Sequence, residues 1–211
     1  VVILAIDPGA TSGWCVLVPE AQHRALRVEA GVAKTTPQRE ACVQLAVTTA
    51  AERERVLVVV AETWRVPAPK PGEARPGEKR RPFGAQTAAG LGANWGRWLA
   101  ELERAAIRAS SVIRVDTGTW RARVLGYPKR RPTEAWKRAA LARAATVTSA
   151  ELAHDAAEAV CIALWAQIAG EVGLALPAAT LRAALARPED ADLLAELERR
   201  RGLAPTTTRP R

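Results

Sequence analysis

Apolar and polar positions divide the chain into two kinds of segment. Residues 1–6 form an unbroken apolar run that stops on Asp7. A Pro-Gly pair and a short polar loop follow, and a second apolar run occupies residues 14–18. Runs of this length, rich in Val and Ile, predict strands buried on both faces. Gly9 and Gly13 bracket a turn, so the second strand returns antiparallel to the first. Residues 23–32 predict a third strand that completes a meander. Thr36 as N-cap, followed by Pro37, opens a helix to about residue 53. Residues 55–61, RVLVVVA, predict another fully buried strand, and it too ends on an acid, Glu62.

The pattern then changes. Residues 65–81 are dense in proline, glycine, lysine and arginine, which predicts a mobile loop with no regular structure. Beyond it the pattern predicts a helix over 86–108, a strand over 111–115 and a short helix over 120–125 that breaks at Gly126. A further helix runs from about 133 to 145, and a strongly apolar one covers 152–168. Residues 176–201 predict two short helices, and 204–211 a polar, disordered tail. A meander followed by alternating strand and helix implies a mixed sheet with helices on its faces. A right-handed crossover makes the first and fourth strands parallel neighbours at its centre. Asp7 and Glu62 then emerge side by side at the sheet end where α/β proteins commonly bind ligands.

Composition adds a partner class. The 211 residues suit one domain, expected over 1–175, with a helical extension over 176–203 and the tail. Lys and Arg number 31 against 22 Asp and Glu, a formal net charge of +9. Such an excess points to a polyanionic partner, nucleic acid first. It is clustered: Arg65, Lys70, Arg75, Lys79, Arg80 and Arg81 lie in the Pro-rich loop, and Arg121, Arg123, Lys129, Arg130, Arg131, Lys137, Arg138 and Arg143 follow in a second segment. Clustering favours phosphate contact over a general solubility role. Cys15, Cys42 and Cys161 form no CxxC pair and sit in apolar runs, so they read as buried hydrophobes in a reducing compartment. No signal-peptide pattern opens the sequence, and its longest apolar stretch is too short for a bilayer. A cytoplasmic protein without membrane contact is expected.

The apolar late helix carries acids of its own. Asp155 and Glu158 are three apart and project from one face, and Glu151, four residues before Asp155, is expected on the same side. Carboxylates in such a segment are costly unless paired or bound to metal. Two acids ending central strands and two on one helical face would repel one another unless divalent cations neutralised them. Oxygen-only ligands suit Mg²⁺ or Mn²⁺, and a pair of such ions suits phosphodiester hydrolysis. His154 and Glu151 adjoin this set.

Three ordered motifs carry a family resemblance: IDPG-x3-GW at 6–14, VVVAE at 58–62 and HDAAEA at 154–159. Together they resemble the RuvC-type Holliday junction resolvases of the ribonuclease H-like superfamily. TAAGLGANW at 87–95 is similar to that family's small-residue helix, and TWRARVLG at 119–126 to a segment preceding a basic helix. The resemblance implies an α/β ribonuclease H-like fold with a five-stranded mixed sheet in the order 3-2-1-4-5. It implies that Asp7, Glu62, Asp155 and Glu158 hold two Mg²⁺ or Mn²⁺ ions and hydrolyse DNA phosphodiesters to 5′-phosphate and 3′-hydroxyl ends. The partners implied are branched DNA, the four-way Holliday junction above all, and a second copy of the chain. Expected DNA contacts are Trp64, Arg65, Lys79, Arg80, Arg81, Phe83, Arg121, Arg123, Lys129, Arg130, Arg131, Lys137 and Arg138; Trp64 and Phe83 flank the basic loop and are candidates for stacking on bases. The sequence departs from the family's pattern where Glu158 replaces a frequent Asp and Arg121 a common Lys. A ridge of Ala89, Gly92, Ala93, Gly96 and Ala100 fits either packing on the chain's own sheet or a two-fold dimer interface.

Other classes compete. The same family of nucleases also admits action on other branched or single-stranded DNA. DPGATSG resembles the phosphate-binding hairpin of actin and sugar-kinase ATPases, a fold that needs a second related domain. Asp116-Thr117-Gly118 resembles an aspartic-protease half-site, which needs a symmetric mate on a β-rich architecture. A non-catalytic DNA-binding module would leave four converging acids unexplained.

Overall fold

A computed structural model describes residues 1–9, 11–19, 26–63, 85–126 and 133–172. Five strands form one sheet in the order β3-β2-β1-β4-β5. They are β1 (Val2–Asp7), β2 (Ser12–Pro19), β3 (Leu26–Ala33), β4 (Leu57–Thr63) and β5 (Ile113–Asp116). The helices are α1 (Thr36–Glu52), α2 (Ala85–Arg104), α3 (Thr117–Leu125), α4 (Thr133–Ala144) and α5 (His154–Val172). β1, β2 and β3 are the expected antiparallel meander, while β1, β4 and β5 run parallel. The predicted mixed sheet and its strand order are therefore present. The loop at 65–84, the extension at 176–203 and the tail lie outside the described residues.

Several boundaries differ from the sequence expectation, each for a local reason. The N-cap of α1 is Thr35, not Thr36. Only Thr35 has a glutamine three residues on, and the two form a reciprocal capping box: the Gln38 N–H donates to Thr35 Oγ1, and the Thr35 N–H to Gln38 Oε1 at 3.0 Å. α2 stops at Arg104, four residues early. Ala106 takes a left-handed φ of 60°, and the Ile107 N–H returns to the Leu102 carbonyl at 2.8 Å. No glycine marks that stop. α3 starts at Thr117, because the Asp116 carboxylate accepts the Gly118 N–H at 2.8 Å and caps it. That use of Asp116-Thr117-Gly118 removes the protease half-site reading. α3 ends as expected at Gly126, which supplies the left-handed φ of 65°. α5 begins at His154, so Glu151 precedes the helix, is exposed, and does not share a helical face with Asp155.

Side chains on a strand alternate between faces, and the two cores follow that period. Val2, Leu4 and Ile6 of β1 join Val59 and Ala61 of β4 beneath α1 and α2, with Trp98 and Leu102. Ile3 and Ala5 join Val60 and Val115 on the opposite face, under Trp120 and the apolar length of α5. α5 is apolar nearly all round because it lies between the sheet and α4. Asp7 continues the Ile3–Ala5 row and Glu62 continues the Val60 row, so both acids belong to the α5 face.

Gly13 makes that packing possible. It pairs with Asp7 across β1 and β2. A Cβ on it would lie 1.8 Å from the Asp155 carbonyl oxygen, a backbone atom at the start of α5. The helix thus approaches the sheet more closely than any other residue at position 13 allows. Gly13→Ala is expected to push the start of α5 outward and to destabilise the chain by about 1–3 kcal/mol or more. A thermal melt checks this; an unchanged midpoint would show that α5 tolerates the methyl.

Candidate metal centre

The site is built from β1, β4, α3 and α5. The last registered pair of the parallel ladder between β1 and β4 is Ile6 with Ala61, so Asp7 and Glu62 are the next step along it. Asp155 and Glu158 come from the first turns of α5, which Gly13 admits against Asp7. Asp7, Asp155 and Glu158 each offer a carboxylate oxygen, and the three lie within 4.8 Å of one another. Asp7 is buried; Asp155 and Glu158 are partly buried.

Glu62 adjoins this trio but is held from another side. Its Oε1 accepts the Thr117 hydroxyl, and its Oε2 accepts the Trp120 indole N–H at 3.1 Å. Both donors are on α3, three residues apart on one face. One residue further, Arg121 donates to Glu158 Oε1 at 2.6 Å. The Arg121 guanidinium lies 5.1 Å from the Trp120 ring centre and 5.5 Å from that of Trp136. Arg121, one of the candidate DNA contacts, thus also pairs with one of the four acids. Thr117 and Trp120 escaped the sequence reading. Trp120 passes for an ordinary core residue, and nothing in the spacing of α3 reveals which strand its N–H faces.

The acids repel one another in a place poor in water. Burial, and then the charges of Glu62, Glu158 and Asp155, hold the Asp7 carboxyl well above its ordinary 3.8, against a Gly9 N–H that favours the anion. Burial also raises Glu62, with Glu158 adding to it; the Thr117 hydroxyl, Arg121 and the Trp120 N–H pull it back. Asp155 is raised by burial and Glu158, while His154 and Lys137 oppose. This set could hold a divalent cation: all its donor atoms are hard oxygens, and their repulsion is what such an ion relieves.

The loop after β1 is fixed from the far face. Asn94, the only asparagine in the chain, is buried on α2 and donates its amide to the Gly9 carbonyl at 3.0 Å. The Gly9 N–H in turn donates to Asp7 Oδ1 at 3.2 Å. The rest of the α2 ridge faces outward: Ala89, Gly92, Ala93, Gly96 and Ala100 are exposed, and a Cβ on Gly92 or Gly96 would meet nothing within 4 Å. Packing of this ridge on the chain's own sheet, one of the two expectations, is therefore not found.

Of the other predicted contacts, Lys137 lies near enough to act on Asp155 and pairs with Glu134 at 3.4 Å. Arg123 and Arg138 are exposed on α3 and α4. His154 is exposed beside Asp155. Trp64, Arg65, Lys79, Arg80, Arg81, Phe83, Lys129, Arg130 and Arg131 lie outside the described residues. Cys15, Cys42 and Cys161 are free and buried, as expected. Among the described residues no helix is long and apolar enough to cross a membrane.

The raised Asp7 carboxyl has a consequence for stability. Above about pH 4, where an unfolded carboxylate has lost its proton, the folded chain holds more protons than the unfolded one, so stability falls as pH rises toward the raised folded value. In EDTA near pH 7.5, Asp7→Asn is expected to raise the melting temperature, by about 2–4 °C for each kcal/mol of relieved repulsion. Mn²⁺ should raise the melting temperature of the wild type and not of the variant. A variant that melts below the wild type in EDTA would contradict the repulsion.

No protein-family model matches the chain, and no curated protein matches it in sequence. Solved structures do. The chain is similar to RuvC of Thermus thermophilus at a TM-score of 0.50 and 20% identity, over 82% of this chain and 97% of that one. It is similar to T. thermophilus RuvC in complex with a Holliday junction substrate at a TM-score of 0.51 and 16% identity, over 83% of this chain and 98% of that one. With the strand order and flanking helices described above, this likeness establishes that the chain has the RuvC-type, ribonuclease H-like fold.

Proposed function

We propose that the chain is a metal-dependent DNA endonuclease that resolves four-way junctions by paired hydrolysis of phosphodiesters. The observation that carries this reading is the set of carboxylate oxygens of Asp7, Asp155 and Glu158 within 4.8 Å, with Glu62 adjoining, at the end of a RuvC-type sheet. These four residues would hold Mg²⁺ or Mn²⁺. Bound there, divalent ions make water a stronger nucleophile and offset charge on the phosphate and leaving oxygen. Asp7 contributes the most buried carboxylate and faces the other three. Arg121 and Lys137 supply positive charge at the rim of the acids, which favours approach of a phosphate backbone that the acids alone would repel. The junction substrate is supported by the likeness to a RuvC bound to a Holliday junction.

Two cuts on a symmetric junction call for two sites related by a two-fold axis, and the outward ridge of α2 supports a homodimer. Small residues there would let a second helix approach closely, and Asn94 links the same helix to the loop beside Asp7. Alternative occupants of the fold are less well supported: one five-stranded sheet among the described residues offers no second related domain for an actin-type ATPase.

Cleavage of a synthetic four-way junction and a linear duplex of the same sequence, with Mg²⁺, Mn²⁺ or EDTA, tests the reading. The junction should be cut in Mg²⁺ or Mn²⁺ and spared in EDTA. Asp7→Asn should slow cleavage more than about 100-fold, beyond the range typical for loss of an outer-shell partner. Cleavage by Asp7→Asn at the wild-type rate would reject the mechanism. Equal cutting of junction and duplex would leave a nuclease of the same fold acting on other DNA. By light scattering the wild type should be a dimer and Gly96→Arg a monomer; an active wild-type monomer would reject paired incision.

A further inference from the structure

Glu62 differs from the other three acids in that both of its oxygens are already engaged by one helix. Thr117 donates to Oε1 and the Trp120 indole to Oε2. Trp120 is fully buried in the core against α5, so its N–H must find its partner within the protein, and Glu62 is the partner it has. α3 itself is anchored, capped by Asp116 at one end and stopped by Gly126 at the other. A carboxylate offers about four lone-pair directions, and two donors leave about two for a cation.

We infer that Thr117 and Trp120 are positioning residues for Glu62: a two-point clamp on α3 that fixes the carboxylate's rotation about its own axis and presents its remaining lone pairs toward Asp7 and Glu158. The inference rests on the reading of Glu62 as a metal ligand. Without the clamp the Glu62 side chain keeps its place on β4 but samples several rotations, and a cation must order it on binding. Donors behind a ligating carboxylate typically matter by 10–100-fold in metal affinity. Arg121 is separate: it acts on Glu158, from the next position of the same helix.

The test is Mn²⁺ binding by calorimetry in the absence of DNA, on the full chain, with thermal melts alongside. Thr117→Val keeps the shape and removes the hydroxyl; Trp120→Phe keeps an aromatic ring and removes the N–H; Thr117→Ser restores a donor. Thr117→Val and Trp120→Phe should each weaken Mn²⁺ about 10-fold, and Thr117→Ser should bind Mn²⁺ like the wild type. A merely structural role would lower the melting temperature without moving the Mn²⁺ isotherm, and rescue by serine would not follow. Glu62→Gln separates the two levels. If it weakens Mn²⁺ while Thr117→Val and Trp120→Phe bind as the wild type, the clamp is wrong and the metal reading stands. If Glu62→Gln itself binds Mn²⁺ as the wild type, the ligand reading of Glu62 falls and the clamp with it.

Discussion

Four carboxylates brought to one end of a sheet, one of them buried, push against each other, and the surrounding structure is arranged to hold them there. Asp7 pays most for this, through desolvation first and its three acidic neighbours second. The compensation is local and directional: the Gly9 N–H at Asp7, two donors of α3 at Glu62, the Arg121 guanidinium at Glu158. These donors do not offset burial and repulsion together, since the carboxyls of Asp7, Glu62 and Asp155 all remain raised, by burial first and by neighbouring acids second. A divalent cation is the group whose charge and oxygen preference match what is left.

Four of the five helices have a definable part in that balance. α5 brings two acids to the sheet and needs Gly13 to come close enough. α3 brings donors, at positions 117, 120 and 121, to the acids of both β4 and α5. α2 lies on the other face and still reaches the site through Asn94 and Gly9. The same helix turns its small residues outward, so an exposed small-residue ridge and a residue steadying the Asp7 loop share one element. α4 contributes Lys137 from beyond Asp155.

Much of the fold was legible in the chain because its signals are local. Unbroken Val- and Ile-rich runs marked β1 and β4 as central strands, and the Gly-bracketed turn marked the hairpin. Boundaries differ where two adjacent threonines compete for the cap and the glutamine at position 38 selects Thr35 over Thr36, or where an alanine, not a glycine, takes a left-handed conformation at position 106. Glu151 was misplaced for a similar reason: helical spacing was extended across residues that precede the helix.

By itself the sequence singled out the four acids, since an acid interrupting an apolar run at positions 7, 62, 155 and 158 is conspicuous whatever surrounds it. Strand parity also decided that Asp7 follows Ile3 and Ala5 to one face, because alternate side chains on a strand must point the same way. Tertiary structure alone decided who answers those charges. Thr117, Trp120 and Arg121 meet Glu62 and Glu158 only because α3 packs against α5 beside the end of the sheet, and Asn94 meets Gly9 across 85 residues of chain. Hydrogen bonds of that kind depend on where two elements lie in space, and no local pattern of hydrophobic and polar positions encodes it.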